Sequence, residues 1–221
     1  MNIELMNSDL LINNLAAMLI ITSLLVIAVK NSKAVTFWYA IQSLVLVLTF
    51  VAIAAKFDAT ELYEWSITSF ITKVIILPAL MYYSFRKMSD KASEEPAIPL
   101  VWILVIGGVI VGVCSYAVHS IKLPLIDGLT PVLAVSIGHF FLGILCIVSQ
   151  RNILKQLFGY CLMENGSSLT LALLANKAPA LVEIGITMDA LFAVIFMIIL
   201  VRQIHSKLKT LDVQQLISLK G

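Results

Sequence analysis

Polar and apolar positions fall in blocks along this chain rather than alternating residue by residue. Seven apolar runs of roughly 20 residues cover about 10–29, 34–55, 62–85, 97–119, 128–149, 152–175 and 180–203. A helix needs about 20 apolar residues to cross the hydrocarbon core of a bilayer. In lipid the backbone N–H and C=O groups must be bonded within the segment, so each run predicts a helix. The expected fold is all-α, a polytopic integral membrane protein with seven transmembrane helices. Its expected parts are a three-helix segment over 1–90, a fourth helix with an outer loop over 91–126, and a three-helix segment with a short tail over 127–221.

The basic residues add a direction. One set of inter-run segments holds Lys30, Lys33, Arg86, Lys87, Lys91, Arg151, Lys155, Arg202, Lys207, Lys209 and Lys220. The opposite set holds only Lys56, Lys122 and Lys177. This bias alternates across all seven runs and predicts an N-terminus outside and a C-terminus in the cytoplasm. The start M1-N-I-E-L-M-N-S-D9 carries acid and no base. A secretory signal has the opposite charge, so the first run is expected to be a retained helix. The hydrophilic stretch S84-F-R-K-M-S-D-K-A-S-E-E-P96 divides three helices from four and is a candidate cytoplasmic contact with a partner. Trp38, Tyr39, Tyr63, Trp65 and Trp102 fall near run ends, where interfacial aromatics are expected.

Composition narrows the function classes. The chain is 60% hydrophobic and 13% charged, which leaves almost no length for a soluble domain; about a quarter of a soluble domain is charged. A net charge of +2 without a basic, aromatic-interleaved patch sets nucleic acid aside. Cys114, Cys146 and Cys161 lie in apolar runs and form no C-x-x-C pair. They read as buried small residues, and no cofactor is expected in this chain: no iron–sulfur, haem or zinc ligand set, no G-x-G-x-x-G and no phosphate-binding loop.

Against this background four ionisable side chains stand near the middles of their runs, each on a different helix: Lys73, His139, Glu164 and Asp189. Glu183 precedes Asp189 by six residues on one helix, about 9 Å toward the outer side at roughly 1.5 Å per residue. A lone membrane histidine is more often a hydrogen-bonded packing residue than a relay. A lysine near a run end can snorkel, but Lys73 is roughly ten residues from either end. Charges inside a membrane are costly, and several at one depth point to a lateral path for protons. Carboxyl, imidazole and ammonium groups have reference pKa values near 4, 6.5 and 10.4, and burial draws them together. A Na⁺ site would need several oxygens around one point, which this mixture of acids and bases does not offer.

The third run adds a device. Pro78, five residues after Lys73, cannot bond the carbonyl of Val74 and predicts a kink beside the lysine. Ser66, Thr68, Ser69 and Thr72 are available there to hold water or backbone groups. Pro131 and Pro179 read as helix starters. Gly108-V-I-V-Gly112 is a G-x-x-x-G that permits close helix approach.

Several of these residues carry a resemblance. Q150-R-N-I-L-K-Q156, Gly159, E164-N-G166, P179-A-L-V-E183, Asp189 and the tail T210-L-D-V213 resemble the component E family of hydrogenase-4, of the energy-converting nickel–iron hydrogenases. C146-I-V-S-Q-R-N152, W65-S and F70-I-T-K73 extend the likeness along the whole chain. The last three helices also resemble subunit K of NADH:quinone oxidoreductase and the C subunit of multisubunit Na⁺/H⁺ antiporters. Arg151, Asn152 and Gly159 match subunit K directly, but its first membrane glutamate falls on Cys161, with Glu164 one helical turn on. Neither Glu183 nor Asp189 aligns cleanly with the second family glutamate; counting back from the tail favours Asp189.

The resemblance implies a non-catalytic subunit in the bacterial cytoplasmic membrane. It would link the hydrogenase-proximal membrane subunit to antiporter-like subunits, with the nickel–iron centre and iron–sulfur clusters in partner subunits. The expected mechanism makes Glu164 and Asp189 proton carriers, Glu183 a branch toward the outer face, and Lys73 a charge partner. Two other readings stay open. One is a purely architectural subunit whose buried charges pair across helices. The other is a cation/proton antiporter or a subunit of one.

Overall fold

A computed structural model describes residues 3–88, 95–120, 126 and 128–217. Helices α1 (Ile3–Ala28) and α2 (Ser32–Phe57) form an antiparallel pair. The Asn31 side chain accepts from the N–H groups of Lys33 and Ala34 and starts α2. The third rod is composite: α3 (Thr60–Ser69), a π-helical segment (Phe70–Ile76), then α4 (Leu77–Lys87). Next come α5 (Leu100–His119), α6 (Thr130–Ser149), α7 (Ile153–Leu174), α8 (Ala180–Leu208) and the short α9 (Val213–Ile217). Pro131 lies in the first turn of α6 and Pro179 immediately precedes α8, where a missing N–H costs nothing. Among the described residues there is no strand; Asn152 and Asp212 form an isolated antiparallel bridge.

Among the described residues six helical stretches are long and apolar enough to cross a membrane: Ser8–Ala28, Lys33–Phe57, Thr60–Ser84, Leu100–His119, Thr130–Ser149 and Leu181–Leu208. The chain is thus an all-helical membrane protein. Helix α7 has the length but not the apolarity, because Lys155, Gln156, Glu164, Asn165, Ser167 and Ser168 interrupt it. Much of its polar content is turned into protein: Lys155, Asn165 and Ser168 are buried, and α7 packs on α6, α2 and α8.

The pairing of α6 and α7 depends on absent side chains. A Cβ on Gly159 would lie 2.7 Å from the Gly143 carbonyl oxygen and 2.9 Å from the Ile147 amide nitrogen. A Cβ on Gly143 would meet the Met163 amide nitrogen at 2.5 Å. These are backbone-to-backbone approaches that only glycine permits. Gly108 and Gly112, by contrast, have no atom within 4 Å of a notional Cβ and lie on the exposed face of α5. The G-x-x-x-G plays no part in packing against the described residues.

One bundle end is tied by the turn between α6 and α7. Asn152 caps α7 by accepting from the Leu154 and Lys155 amides. Arg151 pairs with Asp212 at 3.0 Å, and the amides of Ile153 and Val213 bond across to Leu211 and Arg151. Lys155 donates to the Lys30 carbonyl, and Gln150 to that of Ile27. The Q-R-N-x-x-K-Q motif therefore clamps the tail and the end of α1. At the opposite end Lys56 pairs with Asp9. Of the hydrophilic stretch 84–96, residues 89–94 lie outside the described residues; Glu95 pairs with Lys30 at 2.9 Å.

Two expected interfacial aromatics are corrected. Tyr39 and Trp65 are 0% and 1% exposed. Tyr39 packs on Phe158 with ring centroids 5.4 Å apart. Proximity to a run end does not set which way a ring faces, and these two face the bundle axis. Trp102 and Tyr63 are exposed.

The interior has three layers. One apolar cluster takes Val26 and Ile27, Val35 and Tyr39, Leu77 and Met81, Leu142 and Leu145, and Leu154 and Phe158. A second takes Ile12 and Leu19, Phe50 and Ile53, Leu62 and Trp65, Val132 and Leu133, and Leu169 and Leu173. Along α1, α2, the third rod, α6 and α7 the buried side chains between these clusters are mainly polar. Among them are Ser23, Gln42, Ser43, Ser69, Lys73, Ser136, His139, Asn165 and Ser168. A polar sheet thus crosses the bundle between two greasy ones.

Candidate functional site

The site lies in that middle layer, where three rods each contribute a charged residue and a hydroxyl one turn away. The pairs are Ser69 and Lys73, Glu164 and Ser168, and Glu183 and Thr187. Positions four apart share a helix face, so each rod presents its pair together. Lys73 Nζ lies 2.9 Å from Glu164 Oε1 and 3.5 Å from Glu183 Oε1. It also donates to Ser168 Oγ at 2.9 Å, and Ser168 donates to Glu164 Oε1 at 2.9 Å. Ser69 and Thr187 each donate to Glu183 Oε1 at 3.1 Å. Glu183 Oε2 is buried with no partner among the described residues. The side chains of Lys73, Glu164 and Glu183 are 1%, 8% and 0% exposed.

Two backbone devices hold this cluster. Lys73 sits in the π-helical segment, whose widened register continues into the bond from the Leu77 amide to the Thr72 carbonyl, five residues back. The expected kink at Pro78 takes this form: the proline stands in the first turn of α4, and a wider turn relieves its clash with the preceding carbonyls. Ser66, Thr68 and Thr72 donate to the carbonyls of Leu62, Glu64 and Thr68. Glu183 lies in the first turn of α8, where the positive end of the helix dipole favours a carboxylate.

His139 belongs to a second network in the same layer. Its Nδ1 is 2.9 Å from Ser23 Oγ, and its Nε2 is 3.2 Å from Gln42 Nε2. Ser23 donates its single proton to the Leu19 carbonyl at 2.5 Å. The histidine must then donate from Nδ1 and accept at Nε2 from the Gln42 amide. Gln42 Oε1 in turn accepts from Asn165 Nδ2 at 3.0 Å. A neutral His139 is therefore fully bonded. Asn165 Oδ1 and the Tyr39 hydroxyl are buried without a partner among the described residues.

The five candidates thus separate. Lys73, Glu164 and Glu183 meet; His139 lies in the neighbouring network; Asp189 is exposed on the outer face of α8. Six residues along a helix turn through about 600°, which sets Glu183 and Asp189 roughly 120° apart around the axis. Glu164 connects inside to outside. Besides contacting Lys73, it lines a groove of about 240 Å³ between α6, α7 and α8 that also carries Tyr160, Ser167 and Asp189. Ser168, Thr187, Gln42 and Ser23 escaped the sequence reading. The i, i+4 spacing from Glu164 and Glu183 was a signal for the first two, and an amide inside an apolar run was one for Gln42. Cys114, Cys146 and Cys161 are free thiols in buried positions. Among the described residues no three His, Cys, Asp or Glu side chains cluster as metal ligands.

Fold and site together define an all-helical membrane protein with ionisable groups gathered in its interior. Residues 131–221 match the family of NADH-ubiquinone/plastoquinone oxidoreductase chain 4L. Hydrogenase-4 component E of Escherichia coli (strain K12) is 50% identical over 216 residues, covering 98% of this chain and 100% of that protein. Hydrogenase-4 component E of Shigella flexneri matches to the same extent. An uncharacterised protein of Mycobacterium tuberculosis is 22% identical over 97% of this chain and 98% of its own length. The chain belongs to the hydrogenase-4 component E family. No solved structure matches it.

Proposed function

We infer that the chain is a non-catalytic membrane subunit of a complex I-like hydrogenase and that its buried cluster passes protons sideways through the bundle. The family membership supports the first part. The observation that carries the second is Lys73 held between Glu164 and Glu183 in a polar layer closed above and below by apolar ones. One ammonium beside two carboxyls leaves one acid without a matching base. One proton can then reside on either carboxyl, and only its loss from the cluster or its uptake alters the cluster's net charge, by one unit. Glu183 Oε2, Asn165 Oδ1 and the Tyr39 hydroxyl are buried polar atoms of the kind that ordered water satisfies.

In this reading Glu183 is a direct member of the relay, Lys73 tunes both carboxyls, and Glu164 opens toward the outer groove, where Asp189 is the next carrier. His139 closes the inner side of the layer. Helix α7 is the seventh crossing, tolerated in the bilayer because its neighbours cover its polar face. The N-terminus is outside, the C-terminus is cytoplasmic, and the membrane is the bacterial cytoplasmic one. Residues 1–90 and 91–126 precede a subunit K-like segment, 127–221, which contains the matched residues 131–221. The nickel–iron centre and the iron–sulfur clusters reside in partner subunits. The neighbours in the membrane are the antiporter-like and hydrogenase-proximal subunits.

The test is proton translocation by assembled complexes in sealed vesicles. Glu164→Gln, Glu183→Gln and Asp189→Asn keep size and hydrogen bonding but cannot release a proton. Each is expected to assemble and to lose most redox-driven translocation. Fully assembled variants that translocate like the parent would leave the architectural reading in possession. That reading draws its own support from His139, which is fully bonded as a neutral ring, and from the clamp at Arg151 and Asp212.

A further inference from the structure

Helix α8 presents an outward stripe made of Leu181, Gly185, Asp189, Phe192 and Phe196, spaced at three and four residues and exposed along its length. All but two of these are large apolar side chains. Asp189 is an exposed carboxyl within the apolar stretch Leu181–Leu208, and it has no ion-pair partner among the described residues. Facing acyl chains, such a group is strongly disfavoured. Gly185, one turn before it, has no atom within 4 Å of a notional Cβ, so another helix axis can come close there. The groove beside Asp189 is walled by Tyr160, Met163, Glu164 and Ile186, and it adds a second carboxyl. The stripe is therefore acidic at one level, apolar above and below, and open for close approach.

We propose that this face of α8 is the docking surface for a transmembrane helix of a different subunit, one that presents a lysine or arginine at the level of Asp189. The complement cannot come from a second copy of this chain. Among its described residues the base at mid-span is Lys73, which is 1% exposed and engaged with Glu164 and Glu183. The exposed bases, Lys30, Lys33, Arg86, Lys177, Arg202, Lys207 and Lys209, lie toward helix ends. The partner base lies across the groove from Glu164, so the contact puts that base beside the exit of the internal cluster. The inference rests on the reading of this chain as a membrane subunit of a larger complex and adds the face, the depth and the charge of the contact.

The intact complex in native membranes provides the test. A benzoylphenylalanine probe replacing Phe192 is irradiated, with Tyr116 on the exposed side of α5 as a reference site. The Phe192 probe is expected to capture one integral membrane chain through an apolar segment that contains a lysine or arginine. Capture of lipid alone, or of a segment without a base, overturns the proposal. In a second arm, Asp189→Lys is expected to lower partner retention on purification at least tenfold, with recovery when the captured base is changed to aspartate. Absence of that recovery also overturns it. Capture and recovery are assembly readouts. An interface that passes both while Glu164→Gln and Glu183→Gln still translocate protons would leave the docking surface standing and remove the relay.

Discussion

Lys73, on a π-helical turn of the third rod, meets Glu164, at the middle of α7, at 2.9 Å in the interior of the bundle. The two residues are 91 positions apart, and nothing local requires them to touch. Glu183 approaches the same ammonium from α8 at 3.5 Å. Buried ion pairs of this kind add little net stability, because desolvation offsets their attraction, but breaking one is costly.

Lys73→Met is expected to destabilise the protein by about 3–5 kcal/mol, since it strands two carboxyls without their cation. Lys73→Met combined with Glu164→Gln is expected to recover at least half of that loss. Thermal unfolding of the detergent-purified complex measures both. The relay adds a condition: the recovered double variant assembles but does not translocate protons.

The bonds around His139 fix its tautomer. The Ser23 hydroxyl donates its hydrogen bond to the Leu19 carbonyl, so the ring carries its proton on Nδ1 and accepts at Nε2. Nitrogen NMR of the labelled protein is expected to report that tautomer, and a protonated Nε2 would refute the assignment. Ser23→Ala removes the acceptor of the ring N–H and is expected to cost about 1–3 kcal/mol.

Gly159→Ala would drive a methyl group into the Gly143 carbonyl at 2.7 Å. Backbone cannot step aside as a side chain can, so α6 and α7 must separate. The expected loss is about 1–3 kcal/mol or more, the range of overpacked cores, read as a lower melting temperature and yield. Gly112→Ala, which meets no atom within 4 Å, is the matched control and is expected to leave stability of the isolated chain unchanged.

Asp212→Ala is expected to release the tail. It removes the Arg151 pair and the side-chain cap on the Gln214 amide. Protease added to inside-out vesicles is then expected to cut within 209–217 at least tenfold faster than in the parent, with the membrane-embedded part left intact. Equal cutting in right-side-out vesicles would contradict a cytoplasmic tail.

How much of this was legible beforehand depends on the range of the physics involved. Helix positions follow from local requirements: about 20 apolar residues per crossing and backbone bonds closed within each segment. Pro131 and Pro179 mark helix starts by the same local logic. The buried charges also announce themselves, because a lysine or glutamate inside an apolar run is rare. Their partners do not. A membrane helix is apolar toward lipid and toward protein alike, so hydropathy carries no record of which face turns inward. That is why Tyr39 and Trp65 proved buried, and why Gly143 and Gly159 rather than Gly108 and Gly112 make the close approach. It is also why Glu183 and not Asp189 reaches Lys73.

The sequence by itself determined that the chain is a stack of membrane-length helices with ionisable groups sunk among them, since solvent transfer and backbone satisfaction act residue by residue. Only the tertiary structure decided the rotation and offset of each rod, because those come from packing between surfaces that look equally greasy in the sequence. That rotation places Glu183 on Lys73 inside the bundle and, about 120° around the same helix, leaves Asp189 on its outer wall.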